Sequence, residues 1–346
     1  MKYQIIQRIP TMIGFTVDIA ELPSGEQVIV KRVESEFEKS KLQDYIQHVL
    51  IMQKLLKDES IYPPLLYYSD DELVMPFFRY GQADKVADRA TLYGLTGRAL
   101  DILFRIAAAD PTSVPLPNKE ERRNLSQSYL VSEARARLQR LEVAFEHNML
   151  AKAWVSRDAT NGAMNISRML EGLTIWITNG QLERLSPALA APSLGLSSHG
   201  DFGLNNVLLR EPASSEAALV FIDTRGRWYK GLPWWDPIMD LATLLAFHCR
   251  IEPALEALDV IDESDRVRHR LSETEILDLC SSCKGFQDWI SLDPHWRERL
   301  QVHLAIRLLG NVSIQLTAAP MLQAERATEV FRLFAEQVGH VRDVLA

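Results

Sequence analysis

Three hundred and forty-six residues are enough for one large domain or two smaller ones with a sizeable buried core. With 47% hydrophobic and 24% charged residues the composition excludes a disordered or collagen-like chain, and a net charge of −8 lacks the basic excess that goes with binding a phosphate backbone, so no nucleic-acid partner is expected. The opening run MKYQIIQRIP is too short for a signal-peptide core, longer apolar runs are broken before the ~20 residues of a membrane span, and an odd count of three cysteines suits a reducing compartment. The expectation is a cytoplasmic protein with no membrane partner.

Residues 3–33 are rich in Ile and Val and are punctuated by Pro10, Gly14 and Pro23-Ser24-Gly25-Glu26, which predicts three antiparallel strands joined by a loop and a tight turn. From 36 to 57 the period changes: Leu42, Ile46, Val49, Leu50, Met52 and Leu56 fall roughly on one helical face. Extended segments at 65–68 and 72–78 complete a small sheet, and a boundary is placed near residue 79. Beyond it helical periodicity dominates, near 86–109, 121–156, 162–185, 237–249, 252–261, 272–291, 294–317 and 321–344, with Pro-containing loops at 110–118 and 186–198. Ser272 with Glu275 forms a capping-box pattern.

The informative segment is His199-Gly200-Asp201-Phe202-Gly203-Leu204-Asn205-Asn206, which passes into an apolar strand; a second strand, 217–222, ends in Asp223, and Asp236-Pro237-x-x-Asp240-Leu241-Ala242 opens a helix. Phosphoryl transfer asks a protein mainly to position the nucleophile and neutralise phosphate charge. Asp201 can orient a substrate hydroxyl and accept its proton. Asn206 and Asp223 supply the hard oxygen ligands that suit Mg²⁺. Lys31, in the strand Val28-Ile29-Val30-Lys31, can set an ammonium against the α- and β-phosphates.

These landmarks, His199-Gly200-Asp201 with Asn206, then Asp223, then Asp236-Pro237-x-x-Asp240-Leu241-Ala242, with Lys31 in a strand, resemble the aminoglycoside phosphotransferase and choline kinase family. The resemblance spans roughly residues 3–250 and is dense over about 199–245. It implies an α+β, bilobal protein-kinase-like fold, with residues 1–79 as a small antiparallel-sheet nucleotide-binding lobe and 80–346 as a large, mostly helical catalytic and acceptor-binding lobe. It implies ATP or GTP as donor, Mg²⁺, and a hydroxyl of a small metabolite, amino sugar, amino alcohol or antibiotic as acceptor. By the same resemblance Asp201 matches the catalytic aspartate, Asn206 and Asp223 the metal ligands, and Lys31 the phosphate-contacting lysine. Asp240 matches a helix-start aspartate that braces the catalytic loop, and His199 is architectural. Met75 and Phe77, in the hinge segment, would meet the adenine.

Three departures from that pattern stand out. The loop Arg8–Phe15 has one glycine where protein kinases carry several. The helix after Lys31 has Gln47 or His48 where a glutamate partner for the lysine belongs, with Glu38 and Asp44 one to two turns earlier, so the partner of Lys31 is unassigned. Asp223 is followed by Thr224-Arg225-Gly226, which speaks against a regulated protein-kinase loop. A pseudokinase that binds nucleotide and acts as a regulator or scaffold is the alternative reading, and a protein kinase ranks third.

Other features have blander readings. Cys280-Ser281-Ser282-Cys283 lacks the second Cys pair of a zinc site and lies in a Leu-rich helical stretch, which favours packing, as it does for His248-Cys249. In the run from Arg225 to Trp235, Arg225 and Trp228 are candidates for the acceptor wall, whereas Trp234 and Trp235 read as packing. Glu133, Glu142, Glu146, Glu171 and Glu183 alternate with Arg at helical spacing and read as a solvated face.

Overall fold

The computed structural model describes residues 1–9, 15–33, 35–56, 61–108, 118–147, 195–197, 199–214, 216–258, 270–291, 293–317 and 323–345. The expected helix at 162–185, the end of the one at 121–156, the glycine-poor stretch 10–14 and most of both Pro-containing loops lie outside them. Contacts group the chain into two compact units: Met1–Ser113 with Gly195–Trp235 and Glu275–Phe286, and Val114–Leu194 with Asp236–Thr274 and Gln287–Ala346.

In the first unit β1 (Gln4–Ile9), β2 (Phe15–Glu21), β3 (Gln27–Val33), β4 (Tyr67–Tyr68) and β5 (Glu72–Pro76) form one antiparallel sheet in the order β1-β2-β3-β5-β4. The turn between β2 and β3 closes where expected, with Gly25 at φ 82° and its N–H donating to Leu22 O at 2.9 Å. Ala20, Val28, Val30 and Val74 are fully buried on one face of the sheet. Lys31 stands opposite Val17 of β2 and Leu73 of β5 in the central strand, so its position is held from both sides.

Helix α1 (Glu36–Leu55) buries Leu42, Tyr45, Ile46, Val49 and Met52. Leu50, expected on this face, is exposed, because one residue of helix turns ~100° and carries it off the line of Val49. Helix α2 (Arg89–Ala108) is buried along most of its length, and its Phe104 ring meets Phe286 at 4.7 Å in an edge contact. Strands β7 (Val207–Leu209) and β8 (Leu219–Phe221) form the hairpin that follows the segment 199–206. The aromatic run is a hairpin of β9 (Arg227–Tyr229) and β10 (Leu232–Trp235), with β6 (Gly195–Leu196) on its other edge. Its two-residue turn is Lys230-Gly231, both at positive φ (50° and 78°), the twist that two-residue hairpins favour. Trp234 and Trp235 are buried, as packing required.

The second unit is helical: α3 (Lys119–His147), α4 (Pro237–Leu244), α5 (Glu252–Leu258), α8 (Trp296–Thr317) and α9 (Gln323–Leu345), with α6 (Glu273–Ser282) and α7 (Lys284–Ile290) shared between the units. The sequence period at 237–249 reads as one helix, but α4 widens into a π-helical stretch at Leu245–Ile251 before α5. The helix expected over 272–291 is two helices, broken at Cys283, whose N–H is shared between Leu279 O and Cys280 O. Helix α8 packs against α3, α4 and α9. Glu133 and Arg137 of α3 are buried rather than solvated and pair at 3.3 Å; their i, i+4 spacing is the same for a surface pair and a buried one. Glu142 is exposed, as expected, and Glu171 and Glu183 lie outside the described residues. His248 is buried and accepts the Leu271 N–H at 3.0 Å, and the three cysteines are free thiols.

Candidate active site

All residues of the site described next belong to the first unit. His199 opens the segment from a fully buried position, ringed by Phe202 and Phe221 at 5.5 and 5.6 Å, and its Nδ1 accepts the Asp201 N–H at 3.3 Å. Burial pulls its pKa down to about 4, so the ring is neutral and serves as a backbone acceptor. Asp201 is followed by a 3₁₀ turn, Leu204–Asn206, closed by the Asn206 N–H on Gly203 O at 2.9 Å. Asn206 then works three ways: Nδ2 donates to Asp201 O at 3.2 Å, its own carbonyl accepts from Ile222 N–H at 3.0 Å, and Oδ1 is left facing Asn205 Nδ2 at 3.4 Å. The bond from Ile222 fixes the residue before Asp223 to the segment that carries Asp201.

Asp223 has φ 55°, a left-handed conformation uncommon for any residue with a side chain. Its Oδ1 receives the Lys31 ammonium at 2.5 Å, which supplies the partner that the sequence left unassigned: not a carboxylate on α1 but Asp223 itself. The same ammonium lies 4.4 Å from the Phe15 ring centroid and 5.8 Å from that of Tyr45. Tyr45 is buried, and its burial together with the Asp223 charge drives the phenol pKa far up, keeping it un-ionised.

Arg225 places its guanidinium on the Asp201 carboxylate. Its backbone is clasped by the same segment: the Arg225 N–H donates to His199 O at 2.6 Å, and Ser197 Oγ donates to Arg225 O at 2.6 Å. Gly200, at φ 80°, passes so close that an added Cβ would lie 2.0 Å from Arg225 O. We therefore expect Gly200→Ala to cost about 2 kcal/mol through backbone strain and displacement of Arg225, read as a lowered denaturation midpoint; an unchanged midpoint would show that the approach is not tight.

The structure thus brings Lys31 and Asp223 together, and Asp201, Asn206 and Arg225 together, on one set of hydrogen-bonded segments. Trp228 is half-buried and its indole N–H donates to Asp44 of α1. Met75 is buried in β5, and the Phe77 N–H donates to Gln27 O at 3.2 Å. Asp240 is buried in the first turn of α4, in the second unit. Sequence reasoning noted His48 only as a missing glutamate. It is in fact fully buried, with Nε2 at 2.7 Å from Ser197 O and Nδ1 at 2.7 Å from Thr224 Oγ1. The signal was the position itself, one face of α1 carrying Asp44, Tyr45 and His48 toward the segments around Asp201 and Asp223.

No protein-family model matches the chain, and a search of curated proteins finds no match. Solved structures do match. The choline kinase from Cryptosporidium parvum Iowa II aligns over 99% of this chain and 90% of its own with TM-score 0.57 at 11% identity. The Plasmodium vivax ethanolamine kinase aligns over 96% and 83% with TM-score 0.54, also at 11% identity. The streptomycin–ATP complex of APH(2″)-IIa aligns over 96% and 93% with TM-score 0.52 at 12% identity. With its five-stranded antiparallel sheet at the amino terminus and a helical region after it, the chain has the kinase-like fold of these small-molecule kinases and phosphotransferases.

Proposed function

We propose that this chain is a small-molecule kinase that transfers the γ-phosphate of ATP or GTP to a hydroxyl group. The observation that carries this reading is the Lys31–Asp223 pair at 2.5 Å beside a catalytic segment in which Asn206 holds the Asp201 carbonyl at 3.2 Å. Residues 1–79 then serve the nucleotide and residues 80–346 the chemistry and the acceptor. Structures aligned with this one include complexes with ATP and with GDP, which supports a nucleotide but does not choose between the bases.

The chemistry follows from what each side chain can do. The Asp201 carboxylate orients the acceptor hydroxyl and takes its proton as the oxygen attacks phosphorus; the proton goes to Asp201 and the nucleoside diphosphate leaves. Lys31 shifts its ammonium from Asp223 alone to Asp223 and the phosphates together. Asp223 and Asn206 Oδ1 form an oxygen-only donor pair, and Asp223 is substantially exposed, so the residues fit Mg²⁺, with phosphate oxygens and water completing its shell. Such an ion neutralises charge on the phosphates. Backbone groups from Met75 to Phe78 meet the adenine or guanine; the Phe77 N–H is already used within the sheet, so the neighbouring groups carry that recognition. Arg225 and Trp228 face the acceptor, a neutral or charged small molecule; His199 braces the catalytic segment through the Asp201 N–H.

A second reading is a regulator of the same fold that binds nucleotide without transferring phosphate. It is favoured by one observation: both carboxylates already hold a cation, Asp201 that of Arg225 and Asp223 that of Lys31.

Calorimetric titration of Mg·ATP and Mg·GTP separates the readings. We expect metal-dependent binding that weakens at least tenfold in Asp223→Ala and in Lys31→Met and stays within about threefold in Asp201→Asn, with acceptor-dependent nucleoside diphosphate release lost in Asp201→Asn. Binding without release for any hydroxyl acceptor would favour the regulator, and no binding of either nucleotide would remove both readings.

A further inference from the structure

We propose that His48 is a positioning residue of this site: as a neutral imidazole it ties α1 to both segments that carry the catalytic and phosphate-facing side chains, the role a lysine–carboxylate pair would otherwise play. The inference rests on the kinase reading for its functional consequence, and on geometry alone for the tether.

For a neutral ring the chemistry of the two contacts leaves one arrangement. Ser197 O is a carbonyl with only lone pairs to offer, so the His48 Nε2 at 2.7 Å from it carries the hydrogen. A neutral ring then has a lone pair at Nδ1, and the Thr224 hydroxyl at 2.7 Å donates to it. Both ring nitrogens are satisfied and the tautomer is fixed by its partners. The Tyr62 ring meets the imidazole edge-on at 5.8 Å and holds its plane. Burial, aided by the neighbouring His199 and opposed by the bond to Ser197, brings the pKa to about 3, so the neutral form persists through the working range. A fully buried ring with both nitrogens engaged cannot exchange protons with a substrate, which excludes a role as general base.

The partners are what give the tether its meaning. Ser197 lies two residues before His199, and Thr224 follows Asp223 directly. Asp223 holds a left-handed φ of 55°, and such a conformation persists only when surrounding contacts fix it. The bonds from Ile222 to Asn206 and from Arg225 to His199 fix it within the catalytic segment; the bond from Thr224 to His48 fixes it to a different element. One turn earlier on the same face, Asp44 accepts the Trp228 indole N–H, and Tyr45 lies under the Lys31 ammonium. Helix α1 therefore reaches the site through His48 and its i−4 neighbour, while Lys31 is left to pair with Asp223.

The test compares His48→Leu, His48→Gln and Thr224→Val with the full wild-type chain, using amide hydrogen exchange without nucleotide and Mg·ATP titration with it. We expect His48→Leu and Thr224→Val to speed exchange at 223–226 by about tenfold or more while α2 keeps its protection, because the tether reports on local opening rather than global unfolding. Mg·ATP affinity should fall about tenfold in His48→Leu and recover in His48→Gln, whose amide can both donate to Ser197 O and accept from Thr224. If His48→Leu does not fold, Thr224→Val, which removes a single hydroxyl, decides the matter by the same readouts. Exchange at 223–226 within twofold of wild type in a folded variant would overturn the tether. Wild-type chain that binds no nucleotide would overturn the kinase reading alone, because the exchange experiment needs none.

Discussion

Replacing Arg299 with alanine is expected to destabilise the chain by about 3–5 kcal/mol, the range for removing one partner from a buried charge cluster. Arg299 is fully buried in the second unit, with Nε donating to Asp236 Oδ2 at 2.8 Å, Nη2 reaching Asp236 Oδ1 at 3.4 Å, and Nη2 also donating to Asp293. His303 Nε2 lies 3.2 Å from Asp236 Oδ2, and the guanidinium lies 5.6 Å from the Trp289 ring centroid. Burial by itself would push the Asp236 pKa up, but Arg299 and His303 outweigh it and hold the carboxyl well below the usual range. Without the guanidinium, two carboxylates are left in a site where neither is accessible to water. Asp236 also caps α4, its Oδ1 accepting the Ile238 N–H at 3.1 Å, so a shift of Asp236 loosens the start of that helix. Chemical denaturation of Arg299→Ala measures the loss. The neutral combination Arg299→Met, Asp236→Asn, Asp293→Asn should recover most of it, since no charge is then left unpaired and Asn keeps the capping oxygen. A single variant within about 1 kcal/mol of wild type would mean the cluster does not bear on stability.

Much of this architecture could be read before any coordinates. Turn chemistry at Pro23–Glu26 and the Ile- and Val-rich runs on either side gave the meander its strands, and the resulting sheet is antiparallel, as expected. The ordered landmarks Lys31, Asp201, Asn206 and Asp223 stand out in the sequence by residue type and chain order, and the fold brings Lys31 to Asp223 and Asn206 to the Asp201 carbonyl. What was not legible depends on tertiary contacts. Asp223 as the partner of Lys31 joins residues 192 apart, and the His48 contacts span 149 and 176 residues, so no local pattern announces them. The helical period at 272–291 continues through Cys283 although the helix does not; just past the break Phe286 packs on Phe104, a contact across 182 residues that no local pattern announces. Lys230-Gly231 held the cue for the aromatic hairpin, but a lysine at positive φ is too uncommon to be read with assurance from its neighbours.

The two histidines at the Asp201 and Asp223 segments also make acid the natural way to take them apart. His48 and His199 are fully buried and neutral, with burial the main cause of pKa values lowered to about 3 and about 4. In the unfolded chain both return to about 6.5, so below that pH the unfolded state binds more protons than the folded one, and stability falls as pH falls. The window runs from about pH 7 down toward the folded values. Between pH 7 and pH 5 each histidine should remove about 2 kcal/mol, roughly 4 together, a large share of the 5–15 kcal/mol typical of a folded domain. A net charge of −8 works the other way, since protonating surface carboxylates relieves repulsion, but that relief comes mostly below pH 5. Denaturant midpoints at pH 7, 6 and 5 give the slope directly. His48→Gln should be less stable than wild type at pH 7 and show a shallower slope, because one titrating group is gone. A wild-type midpoint that stays flat from pH 7 to pH 5 would mean that these rings are reached by water or already charged, and the assignment of the His48 tautomer would fall with it.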